Sequence, residues 1–147
     1  MSEFDLTDFL PYLLNQAAEV RGREFQKVYK GRYGMLRTEW RVLFHLGRHG
    51  PMTASAIVEA AQSHKTKISR AVTALEKKRF LRRDTMEHDR RSEQLSLTPA
   101  GQRAYRDLAG FAQDYDAKLM AKLGASDAAT LKGCLKTLME PSPGRTG

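Results

Sequence analysis

The chain has 147 residues, 41% of them hydrophobic and 29% charged, which fits a globular protein of one domain or two fused halves. No run nears the roughly 18 apolar residues of a membrane-crossing helix, and MSEFDLTDFL lacks the basic-then-apolar order of a secretory leader, so a cytoplasmic protein is expected; the single cysteine, Cys134, excludes an internal disulfide and a paired-cysteine zinc site. The formal net charge is +8, and between residues 65 and 91 ten Lys or Arg face only Glu76, Asp84, Glu87 and Asp89, the footprint of a polyanionic partner.

In chain order, residues 5–30 predict a helix. Leu6, Leu10, Leu13, Leu14, Ala17 and Val20 recur at helical spacing, Phe25, Val28 and Tyr29 extend the stripe, and Pro11 marks a start or a kink. The two glycines of GRYGMLR, residues 31–37, predict a connection. A second helix is expected from Thr38, as N-cap, to Arg48, carrying Trp40, Leu43, Phe44 and Leu46, with Gly47, Gly50 and Pro51 stopping it. Thr53 should cap a short helix containing Ala56, Ile57, Val58 and Ala60. Ser63 should cap a longer one, 64–79, whose buried stripe is Ile68, Ala71, Val72 and Leu75.

Phe80 and Leu81 precede the loop DTMEHDRR, and beyond it Leu95 and Leu97 alternate with Gln94, Ser96 and Thr98. This is the pattern of a two-stranded hairpin. Thr98 and Pro99 are placed to open a long helix over 99–122, with Tyr105, Leu108, Phe111, Ala112, Tyr115 and Leu119 on one face. Gly124 should end it and Ser126 should cap a last helix lined by Leu131, Leu135, Leu138 and Met139, before a core-free tail, PSPGRTG. The expected class is mainly α with a small β-hairpin (α+β). The expected organisation is an N-terminal helix (1–35), a compact helical unit with its hairpin (36–98), C-terminal helices (99–140) and a disordered tail (141–147).

Function is read from the helix 64–79. With Ile68 at the centre of the buried side and about 100° per residue, Val72 lies about 40° and Leu75 about 20° away, while Thr66, Arg70, Thr73 and Lys77 fall within about 40° of the opposite pole. Lys65, Lys67 and Ser69 flank that pole, and Ser63 stands at the start of the helix. Guanidinium, ammonium and hydroxyl groups suit base edges and phosphates, and a merely solvated helix would mix in more acid than the one Glu76. The apolar stripes of the first helix and the last two exceed what the small middle unit can cover, so a homodimer is expected.

The stretch TASAIVEAAQSHKTKISRAVTALEKKRFLRRDTMEHDRRSEQLSLTPAGQ resembles the DNA-binding core of the MarR family of bacterial transcription regulators. KISRAVTALEKKRFLRR corresponds to the recognition helix and first wing strand, DRR to the wing tip, LSLTPAG to the entry of the next helix, and RTEWRVLFHL to the family's second helix. The likeness is close over about 36–103. It implies a winged helix-turn-helix DNA-binding lobe over 36–98 between dimerisation helices at 1–35 and 99–140, and a homodimer on double-stranded palindromic operators, acting by repression, with the recognition helix in the major groove. It also implies that Arg91, beside Arg90 and oriented by Asp89, enters the minor groove. His64 and Lys65 stand where the family often has an acidic or polar residue, making this helix start more basic.

Many relatives release DNA when a small aromatic or phenolic acid binds, and Tyr12, Arg21, Trp40, Phe44 and His45 are the residues here suited to such a pocket, aromatic walls with a cation. Peroxide-sensing relatives place a reactive cysteine in the first helix. Residues 1–35 hold none, which leaves Cys134 as the only candidate for a redox-responsive alternative. An enzyme is not expected: GxSxG, P-loop, HExxH and dinucleotide fingerprints are all missing. No cofactor is expected and no metal, since Glu87, His88 and Asp89 are adjacent in one turn and rarely converge. A winged helix that binds RNA or protein is the remaining alternative, weakened by the near-absence of aromatics for base stacking between 63 and 98.

Overall fold

The computed structural model describes residues 3–86 and 89–141, and the side chains of 3–85 and 93–141 within them. The order of elements is a 3-10 turn (Leu6–Asp8), α1 (Leu10–Tyr33), α2 (Arg37–His49), β1 (Met52–Thr53), α3 (Ala54–Ala61), α4 (Lys65–Lys77), β2 (Leu81–Met86), β3 (Asp89–Leu97), α5 (Pro99–Leu123) and α6 (Ala125–Met139). The mainly helical class with a small antiparallel sheet is as expected. Two compact units are formed, one by residues 1–110 and the other by residues 111–147. No helix among the described residues is long and apolar enough to cross a membrane. The expected tail falls almost entirely on 142–147, which lie outside the described residues.

Several boundaries differ from those read in the sequence, each for a local reason. The helix expected from residue 5 is split. Asp5 caps the 3-10 turn through the Thr7 amide, and α1 starts at Leu10 with Pro11 in its first turn, where a missing N–H costs nothing. At the other end α1 runs on through Gly31 to Tyr33, shortening the expected 31–37 connection. Gly34, with φ of 64°, is the left-handed residue that ends the helix, its amide donating to the Lys30 and Tyr29 carbonyls.

α2 is capped not by Thr38 but at Leu36, whose N–H donates to the Glu39 carboxylate at 3.2 Å. Gly47 lies inside this helix and does not stop it. A Cβ there would stand 2.4 Å from the Tyr105 ring, so the glycine lets the two helices meet closely. α4 begins at Lys65 with His64 as an unbonded cap, and the Ser63 amide instead closes α3 by donating to the Val58 carbonyl. At the far end of α4, Phe80 N–H reaches the Leu75 carbonyl across Arg79, a non-glycine residue held at φ 64°. α6 is capped at Gly124, not Ser126.

The sheet has the order β1-β3-β2, all antiparallel. The expected hairpin is present, with Leu81 opposite Leu97 and Arg83 opposite Leu95 and an irregularity between Thr85 and Met86. Missing from the sequence reading is β1, two residues pairing Met52 with Leu95 and Thr53 with Gln94. Two residues carry no periodicity from which to detect it. Thr53 also caps α3 (Ala56 N–H to Oγ1, 3.1 Å), and Thr98 caps α5 (Gly101 N–H to Oγ1, 3.0 Å), both as predicted.

The core of the first unit joins Phe25 and Tyr29 of α1, Val42, Leu43 and Leu46 of α2, Ile57 of α3, Ile68, Ala71, Val72 and Leu75 of α4, Leu81 and Leu95 of the sheet, and Ala104 and Leu108 of α5. Fully burying one such side chain contributes about 1.5–3 kcal/mol. The N-terminal half of α1 contributes none of these: Leu10, Leu13 and Val20 are about half exposed.

Candidate nucleic-acid interface

The α4 helix is amphipathic in the sense the sequence suggested. Ile68, Ala71, Val72 and Leu75 are buried, and Lys65, Thr66, Lys67, Ser69, Arg70, Thr73 and Lys77 are exposed on the remaining surface; Ser63, just ahead of the helix, is half-buried. Among the described residues Lys65, Lys67, Arg70 and Lys77 form no ion pair, so their charge is presented to solvent. A rigid helix bearing unpaired cations and short hydroxyls is a surface for an anionic, hydrogen-bond-rich partner.

Two further bases of this region do not belong to that surface. Lys78 turns inward, its ammonium donating to Glu39 at 2.6 Å and to the Gly34 carbonyl at 2.8 Å. Glu39 is buried, and it also accepts from the Leu36 amide, so its charge is doubly satisfied. This ties the end of α4 to the α1–α2 junction.

Arg83 of β2 leans on α4. Its Nε donates to Glu76 at 3.2 Å, one terminal nitrogen to Glu93 of β3 at 3.1 Å, and the other to the Thr73 hydroxyl at 3.1 Å. Thr73, picked as a base-reading residue, is therefore exposed but already engaged. Sequence reasoning missed Arg83 and Glu76 as a pair. The available signal was strand parity, since Arg83 shares the face of buried Leu81, which looks toward the helix. Between α3, α4 and the sheet lies a cleft of about 520 Å³, floored by Val58, Ile68, Val72 and Leu95 and rimmed by Lys65, Ser69, Arg83 and Glu93.

The backbone of β3 includes Asp89, Arg90 and Arg91, but their side chains lie outside the described ones, as do Glu87 and His88 entirely. The wing-tip roles expected of Asp89, Arg90 and Arg91 are thus not tested by the geometry.

The five residues suggested for an effector pocket are partly brought together. Trp40 and Phe44 meet edge to face with ring centres 4.8 Å apart. They belong to a continuous aromatic ladder, in which Trp40 also touches Phe25 (5.4 Å) and Tyr29 (5.5 Å), and Phe44 touches Tyr105 (5.2 Å). His45, on the next position of α2, stacks toward His49 with ring centres 6.3 Å apart. Burial first, then the neighbouring His49 and Arg41 charges, hold the His45 imidazole below its ordinary pKa. Arg21 pairs with Glu24 one turn along α1 at 3.2 Å. Tyr12 is half-buried near the start of α1, more than two helical turns from Arg21. Cys134 is exposed on α6.

A second polar cluster moors the C-terminal end of α1 to α5. Asp107 accepts from the Tyr33 hydroxyl at 2.6 Å and from Arg32 Nε at 2.8 Å. These donors, Tyr33 foremost, hold the Asp107 carboxyl below the usual range, while burial and the Asp107 carboxylate push the Tyr33 phenol up.

Comparison with known proteins agrees with this geometry. Residues 33–92 match the MarR family model. A Thauera aromatica protein, provisionally assigned as a transcriptional regulatory protein for the hcr operon, is 31% identical over 111 residues; the match covers 76% of this chain and 63% of that protein, so the chain spans less than two thirds of its relative. Among solved structures, Bordetella bronchiseptica BpsR, whose DNA binding is described as regulated by 6-hydroxynicotinic acid, superposes with a TM-score of 0.84 at 16% identity, covering 96% of this chain and all of that one. The Staphylococcus aureus MepR–DNA complex gives 0.81 at 18% identity, covering 93% and 97%. At these identities the structural likeness speaks for the fold.

Proposed function

Given that the chain belongs to the MarR family of winged helix-turn-helix transcription regulators, we propose that it is a homodimeric, sequence-specific DNA-binding repressor that sits on a palindromic operator in the cytoplasm and is released by a small aromatic or phenolic acid. It acts by binding, not by catalysis. The observation that carries this reading is the division of α4 into a fully buried aliphatic side and an exposed side bearing Lys65, Lys67, Arg70 and Lys77, which form no ion pair among the described residues. On this reading α4 lies in the major groove, with Arg70 at the centre of its outer face donating to a guanine edge. The lysines contact phosphates, and Arg91 at the wing tip reaches the adjacent minor groove, where narrow A·T-rich tracts concentrate negative potential.

Dimerisation accounts for the apolar side chains that the chain leaves in water, Leu10, Leu13 and Val20 in the first unit and Leu131, Leu138 and Met139 in the second. Two-fold symmetry then presents two recognition helices to two half-sites about one helical turn apart. The effector reading draws on the aromatic ladder at the α1–α2 junction and on the regulation described for BpsR.

Gel-shift titration on duplex DNA across a salt series tests the core of the proposal. Affinity should fall steeply with salt, by about 0.9 log units per tenfold for each phosphate contacted. Arg70→Ala should cost about 1–3 kcal/mol on the preferred duplex and relax its preference. Salt-insensitive or absent duplex binding would sink the proposal. The effector half fails separately if no member of a panel of phenolic and aromatic acids either stabilises the protein or releases it from DNA.

A further inference from the structure

The acids Glu76 and Glu93 are out of place on a surface that otherwise collects positive charge. Each repels phosphate, and each is held by the same guanidinium. Arg83 spends its three directions of N–H donation on three partners in two elements: Thr73 and Glu76 on α4, and Glu93 on β3. It is itself on β2, so one side chain joins the recognition helix to both strands of the wing. Only a planar fork with fixed donor directions can do this; an ammonium offers a point charge with no such geometry. Beside this joint lies the open cleft of about 520 Å³ between α3, α4 and the sheet, with buried Ile68, Val72 and Leu95 at its base. Close packing normally fixes the angle between two elements. Here the polar joint, at the rim of the cleft, adds to it.

We infer that Arg83 is a positioning residue for DNA recognition: it sets the angle between α4 and the wing so that both reach their grooves together, and Thr73 and Glu76 serve that joint rather than the bases. The inference rests on the DNA-binding reading above. It assigns to Glu76 a favourable role on a DNA-facing helix, opposite to what its charge alone dictates.

The test uses the full chain and a duplex selected from a random-sequence pool by the wild-type protein, with a scrambled duplex of equal length as reference. Dissociation constants are measured for both duplexes over a salt series, alongside thermal denaturation. Arg83→Lys and Arg83→Met should each lose about tenfold or more on the selected duplex and change little on the scrambled one. Glu76→Met should lose severalfold on the selected duplex while tightening on the scrambled one, and should add nothing further in an Arg83→Met background, because the joint is already broken.

Three results overturn the inference. If Arg83→Lys binds like wild type and Arg83→Met lowers the salt slope by about one, Arg83 is a phosphate contact. Tighter binding of the selected duplex by Glu76→Met makes that residue a mere electrostatic penalty. If the variants melt earlier but keep the wild-type ratio of selected to scrambled affinity, the joint only stabilises the fold. Failure of the wild-type protein to select any duplex removes the DNA-binding reading and the joint with it, whereas the three results above leave that reading intact.

Discussion

The α4 helix and the N-terminal half of α1 carry the same kind of apolar stripe and meet opposite fates. In α4 every residue of the stripe is buried within its own unit; in α1 the stripe is buried at Phe25 and Tyr29 but exposed at Leu10, Leu13 and Val20. Helical periodicity therefore reports that a face is to be covered and is silent about what covers it. The moorings follow the same division. α4 is held at its end by Lys78 on Glu39 and along its side by Arg83, and α1 is held at its C-terminal end by Tyr33 and Arg32 on Asp107. None of these moorings reaches the exposed turns of α1.

That contrast can be broken by mutation. Leu75→Ala, in the covered stripe, should cost about 2–5 kcal/mol in urea unfolding, because it removes apolar contact and leaves a cavity. Leu13→Asp should leave the lobe folded but weaken self-association by about a hundredfold, roughly 3 kcal/mol, read as loss of concentration dependence in sedimentation. If Leu13→Asp instead melts the lobe with no change in association, the two stripes do not differ as described. Glu39→Gln should cost about 1–2 kcal/mol, since the Lys78 ammonium loses its charged partner while the Leu36 amide keeps an acceptor. The smallest effect is expected at the left-handed residue after α4. Arg79→Gly should be neutral or raise stability by up to about 1 kcal/mol in thermal denaturation, relieving the side-chain penalty at φ 64°.

The helix-turn-helix, the hairpin and the two faces of α4 were legible because packing imprints a period on the sequence, 3.6 in Ile68-Ala71-Val72-Leu75, all buried, and 2 from buried Leu95 to half-buried Leu97. What escaped has no period. The two-residue β1 is too short for one. At Leu36 the cap depends on Glu39 reaching back to its amide, a residue that reads in sequence as one more charged helical residue, and His64 caps α4 with no side-chain bond to mark it. Gly47 looked like a stop because its contact with Tyr105 lies 58 positions away, at a distance visible only after the chain has folded. Thr73 lies on the exposed face, as expected, yet its hydroxyl accepts from Arg83, a partner that strand parity suggests but cannot pair. Among the effector candidates, Trp40 and Phe44 are in contact, and they touch because they are one turn apart on α2.

The aromatic ladder has an optical consequence. Trp40 is the single tryptophan of the chain, and it sits within 5.5 Å, centre to centre, of Phe25, Tyr29 and Phe44. Its emission therefore comes from one known place, the junction of α1 and α2, with no background from other indoles. A quencher or a shift in wavelength reads the packing of that junction alone. The chain carries its own fluorophore at the place where a loosening of α1 against α2 would first be seen.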